Sequence, residues 1–266
     1  MKNALVLCYH GYRFAGSTYA DNDFIALEQD LALIRRAGRR IVSAQAIAEA
    51  LAGLRAWDQV AGSIALTFDD GTCVDYRAFQ HTGLGTLRPF MDSLARHDAR
   101  ATSFVIASAD ARKTLERAAL DGEAMLTHDW WSPALASGRI DIANHSWDHN
   151  HAAMAGDAPG THGRGSFFPI DNEEAANWEI DQAQAMIASV TGRLPPLFAY
   201  PYGHVPGYLA DSYLPRNGQR LGLIGAFTTA GCNVAPRADR WRIPRAVCGD
   251  HWRTPGELAA MLEALG

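Results

Sequence analysis

This sequence has no paired cysteines, no block of charge of one sign, no long hydrophobic segment and no internal repeat, and each absence removes a class of protein. The four cysteines, Cys8, Cys73, Cys232 and Cys248, lie far apart without a CxxC pair, so neither a zinc knuckle nor a compact disulfide framework can be read from them. Buried or incidental thiols are the expectation. Lys and Arg number 24 against 29 Asp and Glu, mixed along the chain to a net charge of -5, and the basic stripe of a nucleic-acid surface is missing. The apolar run from Ala4 to Tyr9 is too short for a membrane span and lacks a small-residue cleavage site, so it reads as a first buried strand. As it stands the sequence is expected to be cytoplasmic, with export open if a leader has been cut away ahead of it. It predicts no nucleic-acid partner and no membrane span, and it carries no trace of oligomeric state.

What is there suits a single α/β domain over 1–266. A chain of 266 residues with 48% hydrophobic content can bury one sizeable core. Strand-like apolar runs at 4–9, 63–68, 101–106, 139–143, 196–200 and 222–228 alternate with helical spacing over 23–37, 43–54, 87–97, 173–190 and 254–265, the pattern of βα units around a parallel sheet. Thr254-Pro255-Gly256-Glu257 is a helix start, with a Thr cap, Pro at the first helical position and Glu three after the cap. Residues 152–170, rich in Gly, Ala and Pro without periodicity, form a long loop that is expected to wall the pocket.

Three clusters carry chemistry. Ile64 to Phe68 runs into Asp69-Asp70-Gly71, and in a parallel α/β sheet the C-terminal edge of the strands is where ligands bind. Adjacent side chains at a strand end point in different directions, so one carboxylate can ligate a metal while the other faces a water. A plain Asp-Asp-Gly turn is the rival reading. Asn144 to His151 follows a second short strand; His145 and His149, four apart, would present both imidazoles to one point in a helical turn. Two imidazoles and a carboxylate make the three-ligand open site of a hydrolytic zinc centre. The third cluster, Tyr200-Pro201-Tyr202-Gly203-His204, is a rigid corner at a strand end that can aim an N–H into a pocket.

TFDDG at 67–71, HSWDH at 145–149 and YPYG at 200–203 resemble, in order, the first three motifs of the polysaccharide deacetylases, carbohydrate esterase family 4, over roughly 64–250. The resemblance implies a distorted (β/α) barrel with fewer than eight regular strands. It also implies a divalent metal, Zn²⁺ foremost with Co²⁺, Ni²⁺ or Fe²⁺ as substitutes, on Asp70, His145 and His149. Asp69 would be the general base, the Tyr202 N–H, flanked by Pro201 and Gly203, would face the oxyanion, and an acetylated saccharide would be the substrate.

The sequence departs from that pattern at Ala199, where the family carries an arginine that tethers the catalytic aspartate. Arg245, at another strand end, is the expected replacement because a guanidinium can grip a carboxylate bidentately. Asp239-Arg240-Trp241 is a compressed candidate for the fourth motif. No Leu-x-His appears near the C-terminus, so His251 is offered as general acid, with His10, at the end of the first strand, as its rival. Tyr9, Tyr12, Trp130, Trp131, Trp147 and Trp252 are candidates for stacking on sugars, with packing expected for most of them. Two alternatives stay open: hydrolysis of a formyl group, cyclic imide or ureide on a small molecule, and a non-catalytic carbohydrate-binding relative.

Overall fold

The computed structural model describes residues 2–266. Ten strands are present among them: β1 (Leu5–His10), β2 (Ile41–Val42), β3 (Ile64–Asp69), β4 (Phe79–His81), β5 (Gly85–Leu87), β6 (Ala101–Val105), β7 (Ile140–Asn144), β8 (Leu197–Ala199), β9 (Gly225–Phe227) and β10 (Ala246–Val247). The main sheet is parallel in the order β10-β1-β3-β6-β7-β8-β9, with β2 added beside the first half of β3. It is curled into an open half-barrel, in keeping with the distorted barrel the motifs imply. The stretch after Arg242 spans its two edges: Ile243 bridges to Phe227, while Ala246 and Val247 pair with Leu7 and Cys8. β4 and β5 form a separate antiparallel hairpin.

Strands β1, β3 and β6 to β10 are buried on both faces, and their period of two sorts the residues between two cores. Leu5, Leu7, Tyr9, Ile64, Leu66 and Phe68 pack against Leu27, Leu31 and Ile34 of the helix Asp23–Arg36 and against Leu258 and Leu262 of the helix Pro255–Glu263. The alternate residues, Val6, Ala65, Phe104, Ala143, Ala199, Phe227 and Ile243, meet inside the curl with Ile47 and Ala48 of the helix Ala44–Leu51. The register pairs Val6 with Ala65, Cys8 with Thr67 and His10 with Asp69, so the inward row that is apolar at the base ends in two ionisable side chains at the C-terminal edge.

Six strands lie within three residues of their expected bounds at either end, and the Thr254 capping box is formed. Helices Ala109–Ala119 and Leu214–Leu221 were not legible. The first buries only Ala111, Arg112 and Leu115, so its apolar stripe is too thin to read. The second carries Pro215 in its first turn and Gly218 inside, residues that punctuate loops. Gly218 is there because a Cβ would stand 2.7 Å from the Trp241 indole.

Candidate metal centre and active site

One cavity of about 440 Å³ opens at the C-terminal edge of the sheet, lined among others by His10, Tyr12, Asp69, Asp70, His145, His149, His151, Tyr202 and Gly203. Asp69 is the last residue of β3 and points into the curl. Arg245 meets it there, fully buried, with Nη1 2.6 Å from Oδ1 and Nη2 2.7 Å from Oδ2. The other guanidinium donors go to the Thr228 carbonyl and the Thr67 hydroxyl, and the group lies over the Phe104 ring. Burial alone would raise the Asp69 carboxyl, but Arg245, with His145, overrides it and holds the group below the usual carboxylate range.

At Asp70 the chain turns, with φ 70°, and the side chain leaves the direction of Asp69. Gly71 follows at φ 74° with Val105 pressed so close that a Cβ would stand 2.7 Å from it. Asp70 Oδ1 is 3.5 Å from His145 Nε2 and 3.7 Å from His149 Nε2. Four-coordinate ligand atoms about 2.1 Å from a zinc ion stand about 3.4 Å from one another, so this spacing fits a shared tetrahedral ion. The tautomer fits as well: His145 Nδ1 donates to the Ala199 carbonyl at 2.9 Å, which leaves the Nε2 lone pair facing Asp70. Burial, then charge on His145 and His151, pushes His149 well below the ordinary imidazole range and keeps it neutral, as a ligand must be.

A second trio, Cys8, His10 and Asp69, also comes within 4.8 Å. It suits a metal less well. Both Asp69 oxygens are taken by Arg245, and burial raises the Cys8 thiol, against the thiolate that ligation requires.

The histidine segment is not the helical turn expected from its spacing. Residues 145–150 form an irregular turn in which Ser146, His149 and Asn150 have φ of 72°, 64° and 42°. Side chains, not carbonyls one helical turn back, receive its N–H groups. Asn144 Oδ1 accepts from Ser146, Ser146 Oγ from His149, Asp148 Oδ1 from Asn150, and Glu179 Oε2 from Trp147 and Asp148. Among the described residues seven non-glycine positions have positive φ, and Asp70, Ser146, His149, Asn150 and Tyr202 are five of them. Backbone strain of this kind collects at functional sites.

Tyr202 turns at φ 60° and sets its ring edge-on to His149 at 4.4 Å; Pro201 is buried beneath it. His10 lies in the cavity wall with Tyr12 tilted over it at 5.1 Å, and its backbone N–H donates to Asp23. His251 is elsewhere. Its Nδ1 accepts the Val247 N–H, its ring packs on Gly231, and it does not line the cavity. Trp241, from the compressed fourth motif, is buried against Gly218 and Tyr200, and Asp239 pairs with Arg242.

The loop at 152–170 is irregular, but none of its residues lines the cavity. It braces the histidine turn from outside: Asn150 Nδ2 donates to the Gly163 and Ser166 carbonyls, and Arg164 pairs with Asp148 at 2.7 Å. Tyr9, Trp130, Trp131 and Trp252 are core residues, Trp147 packs near Trp178, and Tyr12 alone of the proposed stacking set stands at the cavity. Thr72, Thr229 and Asp250 also line it without any sequence pattern that marks them, as does His151 at the end of the histidine cluster. Glu179 had been missed although a signal existed, an acidic residue on the same helical face as the apolar Ala175, Ala176 and Ala183.

The sequence model of the polysaccharide deacetylase family matches residues 58–215. The chain belongs to that family. No curated protein matches it. Among solved structures, this deacetylase-family chain is similar to IcaB from Ammonifex degensii, at 20% identity and TM-score 0.68 over 99% of this chain and 98% of that one. It is also similar to the Streptococcus pyogenes deacetylase PplD, solved with acetate, at 15% identity and TM-score 0.64 over 98% of both chains. A de-N-acetylase from Aggregatibacter actinomycetemcomitans matches at 16% identity and TM-score 0.65 over 97% of this chain and 99% of that one. At these identities the likeness establishes a shared fold. No helix among the described residues is long and apolar enough to cross a membrane.

Proposed function

We propose that this polysaccharide deacetylase is a metal-dependent hydrolase that removes acetyl groups from a saccharide. The observation that carries the reading is the convergence of Asp70, His145 and His149, all inside the region matched by the family, beside an aspartate held by Arg245 from beyond that region. Asp70, His145 and His149 would hold a divalent cation, Zn²⁺ being the best fit to two imidazoles and one carboxylate. When bound there, the cation supplies Lewis acidity, polarising the acyl carbonyl and acidifying a water molecule.

The protein's own groups do the rest. Asp69, kept ionised by Arg245, accepts the proton of the attacking water. The guanidinium fixes both Asp69 oxygens, so Arg245 positions the base and does not itself react. The strained corner at Pro201-Tyr202-Gly203 borders the cavity, where a backbone donor would stabilise the oxyanion by about 2.7–4 kcal/mol. His10 is assigned as the acid for the departing amine or alcohol, in place of His251, because it shares the cavity with Asp69 and His251 does not.

The test compares release of acetate and formate from chitin oligosaccharides, acetylated xylan and small amides, with the protein first stripped by chelator and then given zinc or cobalt. Acetate release from a saccharide that returns with the metal is the expected result. Formate release alone, or no hydrolysis after either metal, removes the proposal.

A further inference from the structure

Beyond the cavity wall a row of rings continues across the surface. Tyr202 touches His149, His204 lies 5.4 Å from Tyr202 at 36°, and Phe168 stacks almost flat on His204, 4.5 Å away at 14°. Phe168 remains 57% exposed although it has a partner on one face. Only six large hydrophobic residues are exposed among the described residues. The three aromatic ones, Tyr12, Tyr202 and Phe168, either border this cavity or join it through His204.

The outermost ring is held in place. Phe167 is buried against Phe198, Asn150 Nδ2 donates to the Ser166 carbonyl at 2.6 Å, and Ser166 Oγ is 3.1 Å from His204 Nδ1. The same Asn150 follows directly on His149, so the ring's support and the candidate metal site share one turn. A fixed aromatic face left open to water has the shape of a platform for a flat apolar partner, and the C–H face of a pyranose is such a partner.

We infer that Phe168, backed by His204, forms a sugar-stacking subsite that takes a ring of the substrate other than the one being deacetylated. This deepens the saccharide reading above and rests on it: a substrate of several sugars would run from the cavity past Tyr202 and His204 and lay one ring on the open face of Phe168.

The test uses chitin oligomers of one to five units as probes, with acetate release measured on the zinc-loaded protein and calorimetric binding on the chelator-treated protein. Wild type should bind the pentamer more tightly than the monomer. Phe168→Ala should weaken the pentamer by about 2- to 12-fold, the range of one aromatic stack, through KM more than kcat, and weaken the monomer less. Phe168→Trp should restore the preference for length. Equal losses on monomer and pentamer, no loss on either, or a wild type that binds the pentamer no more tightly than the monomer would overturn the subsite. If the zinc-loaded wild type releases no acetate from any oligomer while calorimetry shows the length effect, the hydrolytic reading fails and the subsite stands.

Discussion

Asp69 and Asp70 are neighbours of one residue type, yet their surroundings give them opposite tasks. Asp69 ends an extended strand, and the period of two sends it into the curl toward Arg245; Asp70 turns through positive φ and is sent toward the imidazoles. Arg245→Ala isolates a buried carboxylate, so about 3–5 kcal/mol of stability should be lost, and a fall in turnover alone would not identify the role. The pH profile does. Without the guanidinium, burial dominates and the Asp69 carboxyl rises. A base must be ionised to act, so the acidic limb of kcat/KM should move to higher pH, measured on protein shown to be folded by circular dichroism. Arg245→Lys, a single point charge in place of a planar fork, should fall between. An acidic limb that stays put in Arg245→Ala would rule out Asp69 as the base that Arg245 positions.

At the scale of elements, the histidine turn depends on the helix that follows the long loop. That helix runs from Glu173 to Thr191 and widens into a π-helical segment at Asn177–Asp181, which brings Glu179 to the N–H groups of Trp147 and Asp148. A π segment inside an α-helix is often found where a side chain serves a functional site. Burial, reinforced by the Asp148 charge, raises the Glu179 carboxyl and favours its neutral form, which glutamine reproduces in shape. Glu179→Ala should therefore lower zinc affinity by about 10- to 100-fold in a competition against a chromophoric chelator, the usual effect of removing a group that orients metal ligands, while Glu179→Gln should retain most of it. Equal affinities for wild type and Glu179→Ala would show that the turn holds its shape unaided. The spacing of His145 and His149 predicts a helical turn, whereas their rings come within 5.0 Å through a strained turn instead. The period of a helix and a strained turn can bring the same two side chains together, and only the distant Glu179 distinguishes them.

For the molecule as a whole, what could be read in advance was what is local. Apolar runs gave the parallel strands, and motifs gave the residues at their ends. Closure was harder to read, because Arg245 stands 176 positions from Asp69 and β10 has only two residues. The loop at 152–170 was legible as irregular, but whether it walled or braced the site depended on Asn150 and Arg164 contacts that no pattern encodes. The same long-range closure gives a measurable property. A cation shared by Asp70 and the two histidines would tie the end of β3 to the turn after β7, contacts that the unfolded chain lacks, so it should bind the folded state selectively. Free zinc at 100 times its Kd then adds about 2.7 kcal/mol. For a domain of this size that corresponds to roughly 5–11 °C in Tm, and calorimetric scans with zinc and with chelator should differ by that much. His149→Ala should remove the response without abolishing folding, because the residue is at the cavity edge and not in any of the apolar cores. A wild-type Tm indifferent to both zinc and chelator would mean that the three side chains, close as they are, do not bind a cation.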